Sequence, residues 1–365
     1  MRFFIVLVSA LVLIVPSFMA ADTLPRELTD DAFWRLVADF SEEGGSFRFE
    51  YMSNEQLFQY VIPQLQENRK PGGVYLGVGP EQNFTYIAAI QPRMAFIFDI
   101  RRQNMLEHLM YKALFEMSSN RTDFLSRLFS RKMPAGLKEK TTARALFQAF
   151  RGAAKDSDML LRNQQAIKDH LMKVHKFRLS AADQSSIDYI CRAFFDAGNA
   201  FSYTGTPYGA FGGATYADLM TATDEAGRAR SYLATEENFQ IVREMHKKNL
   251  IVPVVGDFAG QKALRNVGRY IKDHGSAVTA FYTSNVEQYL FQQGDDWRKF
   301  LANVSTFPLD ASSTFIRSSH FAYGESQRQA SRSRFIQLLS PMAEVTKAFN
   351  AGKIMSYEDV IQMSQ

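Results

Sequence analysis

One cysteine in 365 residues leaves no partner for an intramolecular disulfide and no basis for a cysteine-ligated zinc cluster. Cys191 stands among Ile190, Ala193, Phe194 and Phe195, the setting of a thiol packed on the apolar face of a helix and not of a nucleophile. The six histidines, His108, His170, His175, His246, His274 and His320, nowhere show His-Glu-x-x-His spacing. A Gly-x-Ser-x-Gly elbow and a phosphate loop ending in Gly-Lys-Ser/Thr are missing too, so the usual signals of serine hydrolases and nucleoside triphosphatases are absent. An excess of one charge is also lacking: 42 Lys and Arg against 38 Asp and Glu give +4, too little to imply nucleic acid, and no nucleic-acid motif accompanies it.

What is present is apolar. With 46% hydrophobic and 13% aromatic residues, the chain can bury a large core, and one large domain or a domain with an insertion is expected. Met1-Arg2 precedes an apolar run from Phe3 to Ala20, and Ala21-Asp22 opens the polar sequence, the organisation of a secretory signal. Cleavage after Ala20 leaves Phe18 at the −3 position and cleavage after Ala21 leaves Met19, neither of them small. An uncleaved membrane anchor therefore stands beside a signal peptide as the reading of residues 1–21. In both readings the body of the protein lies outside the cytoplasm, periplasmic, secreted or anchored.

Helices are expected over 30–41 and 54–68, the second opened by Ser53 with Gln56 three positions on as a capping box. Between them, Ser41-Glu42-Glu43-Gly44-Gly45-Ser46-Phe47 reads as an interhelical connection, or as a loop covering a site. Strands at 73–78 and 94–99 follow. From about 105 to 248 the pattern stays helical, with Leu106, Met110 and Leu114 on one face and a cap at Ser180 with Asp183, which predicts a large helical insertion. Residues 101–180 hold 17 Lys and Arg against 7 Asp and Glu. That excess is either a solvated helical face or a surface for an anionic substrate, lipid or partner. The glycine- and aromatic-rich segment 201–216 reads as a lid or a packed surface loop. The α/β pattern then returns: a strand over 250–257 ending in Asp257, a helix over 261–273, a strand over 277–283 followed by Ser284-Asn285, a helix over 297–304 and a strand over 313–317. An exposed loop over 318–333, a strand near 334–339 and two helices close the chain. The alternation predicts a Rossmann-like, mostly parallel sheet with helices on both faces.

The most informative segment is Gly-Val-Tyr-Leu-Gly-Val-Gly-Pro-Glu-Gln-Asn, residues 73–83. An apolar strand runs into a turn at Gly77 and Gly79, a helix follows, and a second strand ends on Asp99, 22 positions after Gly77. This is the layout of a nucleotide-binding βαβ unit, in which glycines let the backbone approach a ligand and the acid accepts from ribose hydroxyls. The third glycine of that fingerprint is replaced by Pro80-Glu81-Gln82-Asn83, and an acid at a helix start repels phosphate. A ligand without phosphates fits better.

The glycine turn, the strand ends and the acid resemble class I S-adenosylmethionine-dependent methyltransferases, with the Pro-Glu-Gln-Asn run as a departure. The segments 77–83, 99–104 and 284–290 are also similar to a group of bacterial proteins with a methyltransferase-like core and no assigned reaction. The resemblance implies S-adenosylmethionine as cofactor, with Gly77, Gly79, Glu81 and Asn83 beside its amino-acid part, Asp99 on the ribose and Asp257 on the adenine amino group. Arg101 would hold a carboxylate or phosphate, or lie in solvent, and Asn285 with Tyr282 would orient a methyl acceptor that no residue identifies. Every one of these has a plainer reading: the glycines make a tight turn, Asp99, Asp257 and Asn285 cap helices, and Tyr282 packs in the core. Two functions follow: a methyltransferase acting on a small molecule, or an exported binding protein that keeps the fold without the reaction.

Overall fold

The computed structural model describes residues 23–47, 51–68, 70–203, 214–319 and 335–364. The expected signal or anchor segment, most of the glycine-rich 201–216 loop and nearly all of the 318–333 loop lie outside the described residues.

Runs of β-branched and aromatic residues form six strands: β1 (Val74–Val78), β2 (Met94–Asp99), β3 (Ile251–Val255), β4 (Val278–Ser284), β5 (Leu309–Ser319) and β6 (Ile336–Pro341). They make one sheet in the order β3-β2-β1-β4-β5-β6. The first five are parallel and β6 runs antiparallel to β5. β2 and β3 are buried at every position, which explains why Met94-Ala-Phe-Ile-Phe and Ile251-Val-Pro-Val-Val are continuous apolar runs instead of alternating ones.

Two helices open the chain, α1 (Asp30–Phe40) and α2 (Ile62–Glu67), and α3 (Gln82–Ile90) links β1 to β2. Between β2 and β3 lie α4 (Arg102–Met117), α5 (Arg121–Phe129), α6 (Ala143–Arg151), α7 (Ser157–Asp169), a π-turn (His170–Val174), α8 (Ala181–Ala197), α9 (Tyr216–Thr221) and α10 (Glu236–Lys247). The rest of the sheet is completed by α11 (Ala263–Asp273), α12 (Val286–Leu290), α13 (Asp296–Val304), α14 (Met342–Asn350) and α15 (Tyr357–Gln362). α10 packs on both α3 and α4, and α13 packs on both α11 and α14. One apolar core, from Leu24 to Val360, joins the sheet and its helices.

The capping box at Ser180 and Asp183 is present. The one expected at Ser53 is not: the helix begins only at Ile62, after a turn over 56–61. Pro63 explains the delay, because a residue without an N–H is tolerated in the first helical turn and breaks a helix further in. The backbone N–H of Ser53 is used elsewhere, on Glu81. Among the described residues, no helix is long and apolar enough to cross a membrane. Most of the Lys and Arg of 101–180 are exposed, as a solvated face expects, but Lys112 is buried in a pair with Glu116 and Arg121 is buried donating to the carbonyls of Glu139, Leu233 and Ala234.

Candidate ligand site at the strand ends

Strand order reverses between β1 and β4, and in an open parallel sheet the carboxyl ends at that reversal form the usual ligand crevice. The glycine turn leaves β1 there. Gly79 has φ +76°, a conformation few residues other than glycine adopt, and a Cβ added to it would meet no atom within 4 Å. Gly77 is glycine for a different reason: a Cβ there would fall 1.8 Å from Asn83 Oδ1. Asn83 needs that space because its Nδ2 donates to the carbonyls of Val78 (2.9 Å), Gly79 (3.1 Å) and Pro80 (2.7 Å), while its Oδ1 accepts from the Tyr75 hydroxyl (2.9 Å). Asn83 is thus a clamp on the turn, and its side chain has little left to offer a ligand.

Asp99 and Arg101 hold each other. Asp99 Oδ1 accepts from the Arg101 backbone N (2.8 Å) and Nε (2.9 Å), and Oδ2 accepts from a terminal guanidinium nitrogen (2.8 Å). Both side chains are buried. The expected ribose acceptor and the expected anion ligand therefore form a bidentate, charge-neutral pair.

Around this pair the chain buries acids. Glu81 is wholly inaccessible; its Oε2 accepts from Ser53 N at 3.3 Å and its Oε1 has no partner. Burial pushes its carboxyl up to about 8, with the nearby Glu55 adding to the rise. Glu107, on the buried first half of α4, is pushed well above the ordinary carboxylate range by burial and then by Glu81, with Arg101 opposing. Glu55 is raised by burial against the hydrogen bond that its Oε1 accepts from the Ser284 hydroxyl at the end of β4. His108 faces the Gly79 carbonyl at 2.9 Å, so Nε2 carries the proton, and burial lowers the ring to about 4. Glu55 Oε2, Glu81 Oε1, Gln82 Oε1, Asn104 Oδ1, Glu107 Oε1 and His108 Nδ1 are all buried without a hydrogen-bond partner. Orphaned polar atoms are rare in folded proteins, and several of those among the described residues fall on these neighbouring turns.

Gly77, Gly79, Glu81, Asn83, Asp99 and Arg101 thus come together. Asn285 lies next to them through Ser284, its Oδ1 3.5 Å from the Ser284 hydroxyl, and it makes no cap bond to α12. The Tyr282 ring is buried against Tyr86. Asp257 follows Gly256, whose N–H donates to the Asp99 carbonyl at 2.8 Å, and its own Oδ1 accepts from Ala259 N at 2.9 Å, the local turn that a plain reading gives it. Glu42 accepts from the backbone N–H groups of Lys262 (2.8 Å) and Ala263 (2.7 Å), so an acid of the chain itself occupies the N-terminus of α11. Residues 41–45 lie along the ends of β2 and β3, with Glu42 N on the Val255 carbonyl and Gly45 N on that of Ile100. Glu55, Asn104, Glu107 and His108 carried no spacing signal, because α4 is buried all round from Asn104 to Phe115 and its polar residues share no face.

Residues 51–363 match the family described as a domain of unknown function, DUF7790. The chain belongs to that family. The DUF7790 match spans the whole sheet and the helices between β2 and β3, so the strand-end acids and the helical segment are parts of one family unit. No curated protein matches the chain. A cavity of about 340 Å³ lies at the other end of the DUF7790 sheet, lined by Leu65, Thr279, Ser312, Ser313 and Ser340. Its one charged lining residue, Lys70, is paired with Asp310 at 3.2 Å, so it lacks the uncompensated chemistry of the strand ends.

Proposed function

We propose that this protein binds a phosphate-free, positively charged nucleoside-type molecule at the β1–β4 switch point, with S-adenosylmethionine as the specific candidate, and that it transfers the methyl group to a small molecule. The observation that carries the reading is the set of buried carboxyls without full hydrogen bonding, Glu55, Glu81 and Glu107, beside the open face of Gly79. A sulfonium and an ammonium suit such a site, whereas a pyrophosphate would meet Glu81 and find Arg101 already neutralised by Asp99. The resemblance of the turn and strand ends to class I methyltransferases supports the same ligand.

Calorimetry on the full chain tests this. S-adenosylmethionine is expected to bind more tightly than its neutral product S-adenosylhomocysteine, and Glu81→Gln to narrow the gap between them. No heat with either at millimolar concentration overturns the reading. A second reading, an exported binding protein without the reaction, is favoured by the Asp99–Arg101 clasp, which keeps both carboxylate oxygens occupied. It expects binding of a nucleoside without methyl transfer to any acceptor.

A further inference from the structure

Away from the strand ends, at the far end of α4, a glutamate meets two histidines more than fifty positions on. Glu116 Oε2 lies 2.6 Å from His170 Nε2 and 2.6 Å from His175 Nε2. Those three ligand-type atoms all fall within 4.8 Å of one another. We propose that Glu116, His170 and His175 bind a divalent transition-metal cation, Zn²⁺ in the first instance.

Four features of the surroundings make this a built arrangement. The first is backbone geometry. Residues five apart in an α-helix point about 140° away from each other. Here the π-turn over His170–Val174, closed by the His175 N–H on the His170 carbonyl at 3.1 Å, brings both imidazoles to the same carboxylate. Single π-turns inside helices recur at functional sites. Second, His175 Nδ1 donates to Asp30 Oδ1 at 2.7 Å, and Asp30 is itself held by Asn249 Nδ2 at 2.9 Å. A carboxylate behind the imidazole is the arrangement that fixes a metal-binding histidine with Nε2 forward. Third, Lys112 Nζ donates to the other oxygen of Glu116, Oε1, at 2.5 Å and to the His246 carbonyl at 2.7 Å. The lysine anchors the carboxylate and leaves Oε2 facing the imidazoles.

The fourth feature is access. The side chains of His170, His175 and Glu116 are 20%, 10% and 8% exposed, so the cluster is largely enclosed yet still reaches water, most at His170. Three protein ligands and one position for water is the coordination of an open zinc site, and imidazole with carboxylate is a donor set that zinc accepts. Bonds of about 2.0–2.1 Å to a tetrahedral ion put ligand atoms about 3.4 Å apart. Each Nε2 therefore has to draw back from Oε2 by about 0.8 Å, a small side-chain rotation. His108 and Glu116 are eight residues apart, about 12 Å along α4, so this site is distinct from the strand-end cluster and does not depend on its ligand.

The test uses untagged full-length protein, stripped with a chelator and then dialysed against about 10 µM ZnSO₄, with zinc counted by plasma mass spectrometry. One zinc per chain is expected, with Co²⁺ in its place giving the intense visible bands of a four-coordinate ion. His170→Ala is expected to weaken zinc binding by more than about 100-fold, and Asp30→Asn, which removes only the support of His175, by about 10- to 100-fold. Circular dichroism checks that the variants remain folded. Retention of less than about 0.1 zinc per wild-type chain overturns the proposal outright and leaves a cluster of ion pairs. Stoichiometric zinc that neither substitution weakens overturns it equally, since the ion is then held elsewhere.

Discussion

Glu81 gives the sharpest quantitative expectation. Its carboxyl ordinarily titrates near 4.5 and is pushed up to about 8 by burial in the fold. Between those values the folded chain holds a proton that the unfolded chain releases. The stability this group contributes is therefore complete below 4.5 and is lost as the pH rises through about 8. At about 1.36 kcal/mol per unit, Glu81 alone lowers stability by about 3 kcal/mol between pH 5 and pH 8. No discount for solvent applies, because the side chain is inaccessible. Glu81→Gln keeps the shape and the bond from Ser53 N while abolishing the titration. Its amide nitrogen at the Oε1 position brings two N–H donors without an acceptor where the protonated acid has one O–H, a cost that is the same at both pH values and cancels from the comparison. Urea unfolding followed by the fluorescence of Trp34 and Trp297 should find the stability of the variant relative to wild type higher by about 3 kcal/mol at pH 8 than at pH 5. A difference between variant and wild type that stays the same at the two pH values, within about 0.5 kcal/mol, would refute the argument that Glu81 is buried as a neutral acid.

The remaining expectations concern the frame around the site. Arg317, fully buried, is paired through both Nε and a terminal nitrogen with Glu287 and also donates to the Ser340 hydroxyl; Glu287→Ala leaves that charge unpaired and should cost about 3–5 kcal/mol in urea unfolding, whereas a cost below about 1 kcal/mol would show that the pair is not formed in solution. Gly77→Ala drives a methyl into Asn83 Oδ1 and should destabilise by about 1–3 kcal/mol, which Asn83→Ala in the same chain should partly relieve. Gly79→Ala has room for the methyl but not the backbone, and should cost about 1–2 kcal/mol that Asn83→Ala leaves unchanged. His108 has the opposite titration to Glu81: its folded value of about 4 lies below the ordinary 6.5, so stability should fall as the pH drops from 6.5 toward 4, and His108→Asn should flatten that limb.

The sheet was legible in the sequence because its strands are buried on both faces and therefore read as unbroken apolar runs between turn residues. The Gly77 turn and Asp99 stood out for the same reason, each at the end of such a run. What sequence spacing did not reveal is which polar groups satisfy one another. Arg101 follows Asp99 by two positions, which in a sequence looks like a free anion ligand beside a free ribose acceptor, and in the fold becomes a closed pair. Glu55 reaches the site from the segment before α2, through Ser284 at the end of β4, a contact separated by 229 positions that no local pattern encodes. The Glu116–His170–His175 cluster was hidden by its π-turn, since neither helical nor strand periodicity places residues five apart side by side.

Asn83 and Glu81 set this turn apart from that of a dinucleotide site. In a dinucleotide site the third glycine lets the helix sit tightly on the strand, and its free N–H groups receive a pyrophosphate. Here an amide side chain crosses the same turn and binds three of its carbonyls, and a buried acid stands at the head of the helix. The positive end of α3 therefore faces Glu81 instead of a phosphate. With its carboxyl pushed up to about 8, ionising that acid at pH 7 costs little, on the order of a single charge-assisted hydrogen bond. On the proposed reading, a cation beside Gly79 would convert Glu81 from a neutral acid into its counter-ion. A phosphate there would meet that same acid, while Arg101 beside it is already closed onto Asp99.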